Sequence, residues 1–380
     1  MENNQQKNPL NPKKIVLFII YALVTVLLLV TVLSFNDIPA IMDELKNVDV
    51  GYLMLAVLFV IIYMLLYPLS LCILTRARKC DIKMSTTYSI AMTEHFFNGI
   101  TPLATGGQPF QAHSYSRAKV KFSESTGLLL TNLIIYMMVT TGFSLTGLFF
   151  FDQLTAHVNS GWLPIIIIGY TLNFLVMVVM FALGISKGLR NLLVKFVRYL
   201  CHFKLLKRFE KKADDIELYF VQVQEAFADL TKKKGAFILA TLSKIASFAF
   251  LYSSSWFILR AMGVMLAPSE MFLALSATSF AITAVGFIPT PGASGSSEMS
   301  ASQVFKSIII ITVGEGAIAT AATTANGVML IWRLLSYYFV MAISLMFYIG
   351  LEIYFSRKSK KEAVAKSSEE ENESDNEQNV

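Results

Sequence analysis

The sequence predicts an all-α, polytopic integral membrane protein of about eight transmembrane helices, with re-entrant or broken segments and a possible two-half pseudo-repeat. Three observations predict this. The 380-residue chain is 55% hydrophobic and only 15% charged, against about 25% charged residues in soluble domains, and its mean hydropathy is +0.57. Uncharged runs recur that can cross a hydrocarbon core, which takes about 20 helical residues. Loops rich in Lys and Arg alternate with loops poor in them, in register with those runs. The net charge of +6 therefore reflects loop placement, and no nucleic-acid-binding module is visible.

In chain order the expected spans are 15–35, 51–74, 126–151, 162–185, 236–259, 270–288, 307–325 and 328–355. The first carries no charge and is too long for a signal-peptide core, so it is expected to be retained. Lys7, Lys13 and Lys14 precede it. The next loop has Lys46 among Asp37, Asp43, Glu44 and Asp49, whereas 75–84 holds Arg76, Arg78, Lys79 and Lys83. The connection 152–161 has neither Lys nor Arg, while 186–234 has twelve. Arg357, Lys358, Lys360 and Lys361 follow the last span. This alternation puts both termini in the cytoplasm, with the chain in the inner (cytoplasmic) membrane.

The expected organisation is a cytoplasmic segment 1–14, a transmembrane domain 15–356 and a charged tail 357–380. The insertion 186–234 mixes apolar residues at helical spacing with a basic face. It reads either as amphipathic helices against the inner leaflet or as a solvated hairpin. The tail, "SSEEENESDNEQNV" from Ser367, lacks apolar periodicity and is expected to be disordered. Cys72, Cys80 and Cys201 have neither disulfide-scaffold nor metal-site spacing.

Two stretches depart from plain spans: "TEHFFNGITPLATGGQPFQAHSYSR" (93–117) and "GFIPTPGASGSSE" (286–298). Proline removes a backbone donor, and glycine permits angles no helix uses. In hydrocarbon the freed groups have no water to bond, so such backbone survives only inside protein or beside a wet cavity. Paired discontinuous segments in the two halves of a transporter point to a central site. Gly106, Gly107, Pro291 and Gly292 are thus candidate shapers of a polar cavity, with an ordinary cytoplasmic loop as the alternative for each stretch.

Ionisable groups at span depth are costly and so are functional candidates. Glu94, His95 and Asn98 precede the first break, with Glu94 and Asn98 on one helix face. Lys244 lies mid-way along the fifth span and Glu315 deep in the seventh, where the two could pair. Glu298 either caps the helix after the second break or holds a headgroup amine. Arg333 sits near enough to a span end to snorkel. Nothing resembles a Walker loop, His-Glu-x-x-His or Gly-x-Ser-x-Gly, and His95, His113, His157 and His202 are scattered, so no cofactor and no metal site is expected.

"TPLATGGQPFQ" and "PTPGASGSSE" resemble the two Pro-Gly signatures of the flippase-like membrane domain of the lysylphosphatidylglycerol synthase family, over roughly residues 12–356. In bifunctional members, the resemblance implies, this domain carries aminoacylated phosphatidylglycerol between leaflets, and a separate soluble domain makes that lipid from aminoacyl-tRNA. Here a charged tail follows the last span, so a synthase domain is not expected. Ala293 stands where many members have glycine, and Gln111 and His113 precede the first basic residue, Arg117. The resemblance implies a translocator whose partner is a membrane phospholipid, phosphatidylglycerol or an aminoacyl derivative, supplied by a separate cytoplasmic synthase. Two alternatives stand beside it. One is a phosphatidylglycerol lysyltransferase, which would need tRNA, and the other is an accessory subunit of a synthase.

Overall fold

A computed structural model describes residues 46–188, part of 191–231, and 232–377 except 289, 291, 315 and 317. The expected span 15–35 and the middle of the insertion lie outside the described residues. Helix α1 (Val50–Leu66) starts where the Asp49 carboxylate accepts the Gly51 and Tyr52 amides at 2.8 and 3.3 Å. Pro68 then removes the amide that would have continued the ladder to Met64. The Tyr88 hydroxyl donates to that carbonyl instead, at 3.3 Å. Helix α2 (Leu69–Ala77) completes the crossing and ends at the basic turn 78–83.

Helix α3 (Met84–Ile100) re-enters, turns over 101–106 and returns as α4 (Gly107–Arg117). Next come α5 (Phe122–Thr146), a 3-10 turn (Gly147–Phe150), α6 (Phe151–Thr155) and α7 (Leu163–Ile185). After the insertion, α8 (Lys234–Ala261) leads to α9 (Met271–Val285), the turn 286–295 and α10 (Ser296–Val313). A four-residue connection brings α11 (Ile318–Arg333), which passes through a π-helical stretch (Leu334–Phe339) into α12 (Val340–Glu377). No strand occurs among the described residues.

Helix α1 packs antiparallel against α8 along the whole of α1. Asp49 N donates to Ala261 O at 2.9 Å, Phe59 sits between Phe250 and Phe257, Tyr63 meets Phe248, and Tyr67 lies under Lys244. Five stretches are long and apolar enough to cross a membrane: Val50–Ala77, Glu124–Thr155, Lys234–Ala261, Pro268–Val285 and Ile318–Ser359. Helix α7 adds a shorter apolar stretch, Leu163–Val179, and exposes Ile168, Leu175 and Val176. The protein is a multi-pass, all-helical membrane protein.

Its two ends differ in charge. Arg76, Arg78, Lys79, Lys83, Lys119, Lys121 and Lys234 gather at one, beside the starts of α3, α5 and α8. The Arg78–Asp229 ion pair, 2.6 Å, fastens the end of the insertion there. The first hairpin, α3–α4, begins and ends at this basic end. The second, α9–α10, begins and ends at the opposite one, where Asn159 N donates to Gln303 Oε1 (3.0 Å) and His157 N to Ser307 Oγ (3.2 Å). Two broken segments thus enter from opposite ends.

This corrects the course expected for 270–288 and 307–325, which are not two successive crossings. The chain doubles back after α9, and the stretch 307–325 is split at Gly314, whose φ of +97° ends α10. Apolarity sets how far a helix can run, but glycine and proline set where it turns. The tail also differs from the irregular segment expected: α12 continues to Glu377 through "KKEAVAKSSEEE", built mostly of good helix formers.

Opposed hairpins make a labelling prediction. Lys121→Cys and Val313→Cys, both at exposed positions, should react with an impermeant maleimide from opposite faces of a sealed vesicle. Labelling of both from one face would remove the second hairpin.

Candidate functional site

Each hairpin tip solves the problem of non-helical backbone at depth. In the first, side chains of the ingoing helix cap the outgoing one. Asn98 Oδ1 accepts from Gly107 N at 2.8 Å and Thr101 Oγ1 from Gly106 N at 2.9 Å. The fit explains the Gly-Gly pair. A Cβ on Gly107 would stand 2.6 Å from Asn98 Oδ1, and one on Gly106 2.7 Å from Phe97 O. Leu103 and Ala104 between them adopt φ of +55° and +52°, strain held by these bonds.

In the second tip, Gly292 and Gly295 have φ of +59° and +85°. The carboxylate of Glu298 accepts from Gly295 N (2.7 Å) and Ser297 Oγ (2.9 Å), while its other oxygen lies 2.8 Å from Arg333 Nε. Arg333 also donates to Gly292 O (2.5 Å) and Ser294 Oγ (3.3 Å), and its guanidinium stacks 3.9 Å from the Tyr337 ring centroid. Tyr337 Oη in turn donates to Gly99 O of the first hairpin at 2.7 Å. A continuous polar chain from Glu298 to Gly99 therefore ties the two tips together.

Between the tips lies a cavity of about 450 Å³. Leu103, Ala104 and Gln108 of the first tip and Ile288, Thr290 and Gly292 of the second face into it, with Tyr63, Tyr67, Tyr136 and Tyr252 forming an aromatic wall. Its charged group is Glu94, which is buried. Tyr67 Oη donates to Glu94 Oε2 at 3.0 Å and Gln111 Nε2 to the same oxygen at 3.3 Å. The His95 ring lies 4.3 Å from that of Tyr67, and its Nε2 has no hydrogen-bond partner among the described residues. Behind the wall, fully buried Lys244 places Nζ 3.4 Å above the Tyr67 ring centroid and donates to Tyr67 O at 3.3 Å. Tyr67 thus contacts a cation through its ring and an anion through its hydroxyl.

Of the residues singled out from the sequence, Glu94, His95, Asn98 and Gly292 line this cavity. Gln111 backs Glu94, Lys244 backs Tyr67, and Gly106 and Gly107 shape the first tip. Arg117 is placed elsewhere: at the basic end it pairs with Glu352 and lies 4.5 Å from the Phe355 ring centroid. Glu298 caps and pairs behind the second tip rather than facing the cavity. Pro291 and Glu315 lie outside the described residues, and so does the pairing of Glu315 with Lys244; among the described residues Lys244 contacts Tyr67. Arg333 is no snorkelling residue, because α11, the π-helical stretch and α12 run on end to end and leave it buried within the rod, away from either end. Sequence reasoning passed over Tyr67 and Tyr337. Both had a signal, one beside a mid-span proline and the other four positions after an arginine in an apolar run.

Two hairpin tips meeting at a partly polar cavity belong here to a polytopic, all-helical membrane protein. The family model described as the lysylphosphatidylglycerol synthase TM region matches residues 17–344, and the chain belongs to that family. No curated protein matches it.

The ion pair behind the second tip should be costly to halve. Removing one partner of a buried pair costs about 3–5 kcal/mol, so Arg333→Met should sharply lower the melting temperature in detergent. Arg333→Met with Glu298→Gln should recover most of the loss, and a double variant no more stable than Arg333→Met would show that the pair is not coupled.

Proposed function

We propose that the protein is a lipid translocator that passes the headgroup of an anionic or aminoacylated phospholipid, such as lysyl-phosphatidylglycerol, through the cavity between the two hairpin tips. The observation that supports it best is the cavity itself, a headgroup-sized space at the meeting point of two broken segments that enter from opposite ends. A headgroup there would exchange water for Glu94, His95, Asn98 and the tyrosine faces, while its acyl chains stay in lipid. The Glu94 carboxylate and the aromatic wall suit an ammonium group, which gains from both a carboxylate and ring faces. By the positive-inside rule the basic end faces the cytoplasm of the cell membrane. A separate cytoplasmic synthase would supply the lipid at that face.

The test is reconstitution of the full chain into vesicles with fluorescent lysyl-phosphatidylglycerol, reading its appearance in the opposite leaflet. Glu94→Gln and His95→Ala should each slow the transfer at least about tenfold, a loss of ~1.4 kcal/mol of barrier lowering, with Arg117→Gln close to wild type. Equal rates in all variants and in protein-free vesicles would refute the reading. New lysyl-phosphatidylglycerol in cells expressing only this chain would favour the lysyltransferase instead.

A further inference from the structure

The first hairpin holds more polar surface than its tip requires. Along α3, Thr87 and Glu94 stand two turns apart on one face; on α4, Gln111, Ser114 and Tyr115 face them. Thr75 of α2 closes the set, with its Oγ1 3.0 Å from Tyr115 Oη. Thr75, Thr87, Gln111, Ser114 and Tyr115 are all fully buried. Two of their oxygens, Ser114 Oγ and Gln111 Oε1, have no hydrogen-bond partner among the described residues, and Thr87 lies against the Tyr115 hydroxyl.

Leaving one such group bare in an apolar setting costs about 1–3 kcal/mol. Two along a single helix interface, beside a run of hydroxyls, are not an accident of packing, since apolar side chains would fill the same space. Buried polar atoms without protein partners are where internal water resides. The seam has direction as well. Its lower members sit in the last turn of α2, the first turn of α3 and the last turn of α4, all at the basic end. Its upper member is Glu94, about 10 Å deeper by helical rise, where Gln111 Nε2 donates to the carboxylate.

We propose that this seam is a hydrated proton path joining Glu94 to the basic end. It rests on the translocator reading and names the proton as the coupling ion for that cavity. A proton enters from water beside the last turn of α2 and passes by hydrogen-bond exchange along the hydroxyls of Thr75, Tyr115, Thr87 and Ser114 and the waters between them. It ends on the Glu94 carboxylate, converting it to the neutral acid, and leaves from the cavity side when the carboxylate reforms. The ionisable groups facing Glu94 are Tyr63 and Tyr67 from the end of α1, His95 beside it on α3, Tyr136 from α5, and Lys244 and Tyr252 from α8. Helix α4 offers neutral Gln111. Helix α12 packs on α3 through Ser344, and its Glu352 is already paired with Arg117.

Full-length protein in vesicles containing a trapped pH-sensitive dye, under an imposed pH gradient, tests this. Wild type is expected to carry protons faster than protein-free vesicles. Glu94→Gln should abolish that flux, and Thr87→Val with Ser114→Ala should lose most of it while keeping the wild-type melting temperature. Ser114→Ala alone, the milder change, should lose part. Wild-type flux no greater than that of empty vesicles would overturn the proposal, as would a double variant that conducts like wild type. Labelled lipid in the same vesicles separates the two readings. Lipid crossing without proton flux sinks the seam alone, and seam-dependent flux without lipid crossing sinks the translocator alone.

Discussion

Backbone amides and carbonyls at bilayer depth must be satisfied within the protein or beside a wet cavity. The two hairpin tips meet that demand by different means. The first is self-contained: Asn98 on its own ingoing helix and Thr101 just past the end of that helix bond the amides that open the outgoing one. The second borrows its support from elsewhere in the chain, because Arg333 of α11 holds the Gly292 carbonyl and the carboxylate that caps α10. The shape of the cavity therefore depends on where a third helix lies. Tyr337, on the continuation of that helix, carries the dependence across to the first hairpin.

Charge inside the cavity wall is handled with equal economy of partners. Lys244 is fully buried beneath Tyr67, with a ring face and one carbonyl as its contacts. A desolvated cation–π contact is worth about 2 kcal/mol, less than the several kcal/mol that burying an ammonium costs. Glu94, held to the hydroxyl of the same ring, supplies the opposing charge a few ångströms further on. Tyr67 owes its position to Pro68, which ends α1 and turns the chain into α2. One proline thus places the ring that separates the two charges.

The all-helical membrane class, the two broken segments and three of the cavity-lining polar residues, Glu94, His95 and Asn98, could be read from the sequence, because hydropathy, Pro/Gly punctuation and charge in an apolar run are local signals. The course of the chain could not. An apolar run such as 307–325 has the same composition whether it crosses once or folds at a glycine, and only the pairing of His157 and Asn159 with α10 shows which. Glu298 illustrates the same limit. Its spacing after a serine run announced the cap correctly, but its partner Arg333 lies 35 residues further along, and nothing in either neighbourhood names the other. Arg117 shows the opposite case: it is close in sequence to the Gly-Gly turn, yet the return helix carries it to the far end of the hairpin.

The π-helical stretch between α11 and α12 has its own mechanical meaning. Six residues there, Leu334–Phe339, are wound more loosely than the helices on either side, and such insertions concentrate where proteins work. Reverting one wide turn to ordinary α geometry would rotate everything beyond it by about 100°, the angular step of a single helical residue. Arg333 lies just before the wide turn and Tyr337 within it, so that slip would swing the tyrosine off Gly99 while leaving the arginine at its post. The loosely wound stretch thus lies level with the cavity, with Ser336 and Tyr337 among the residues that line it.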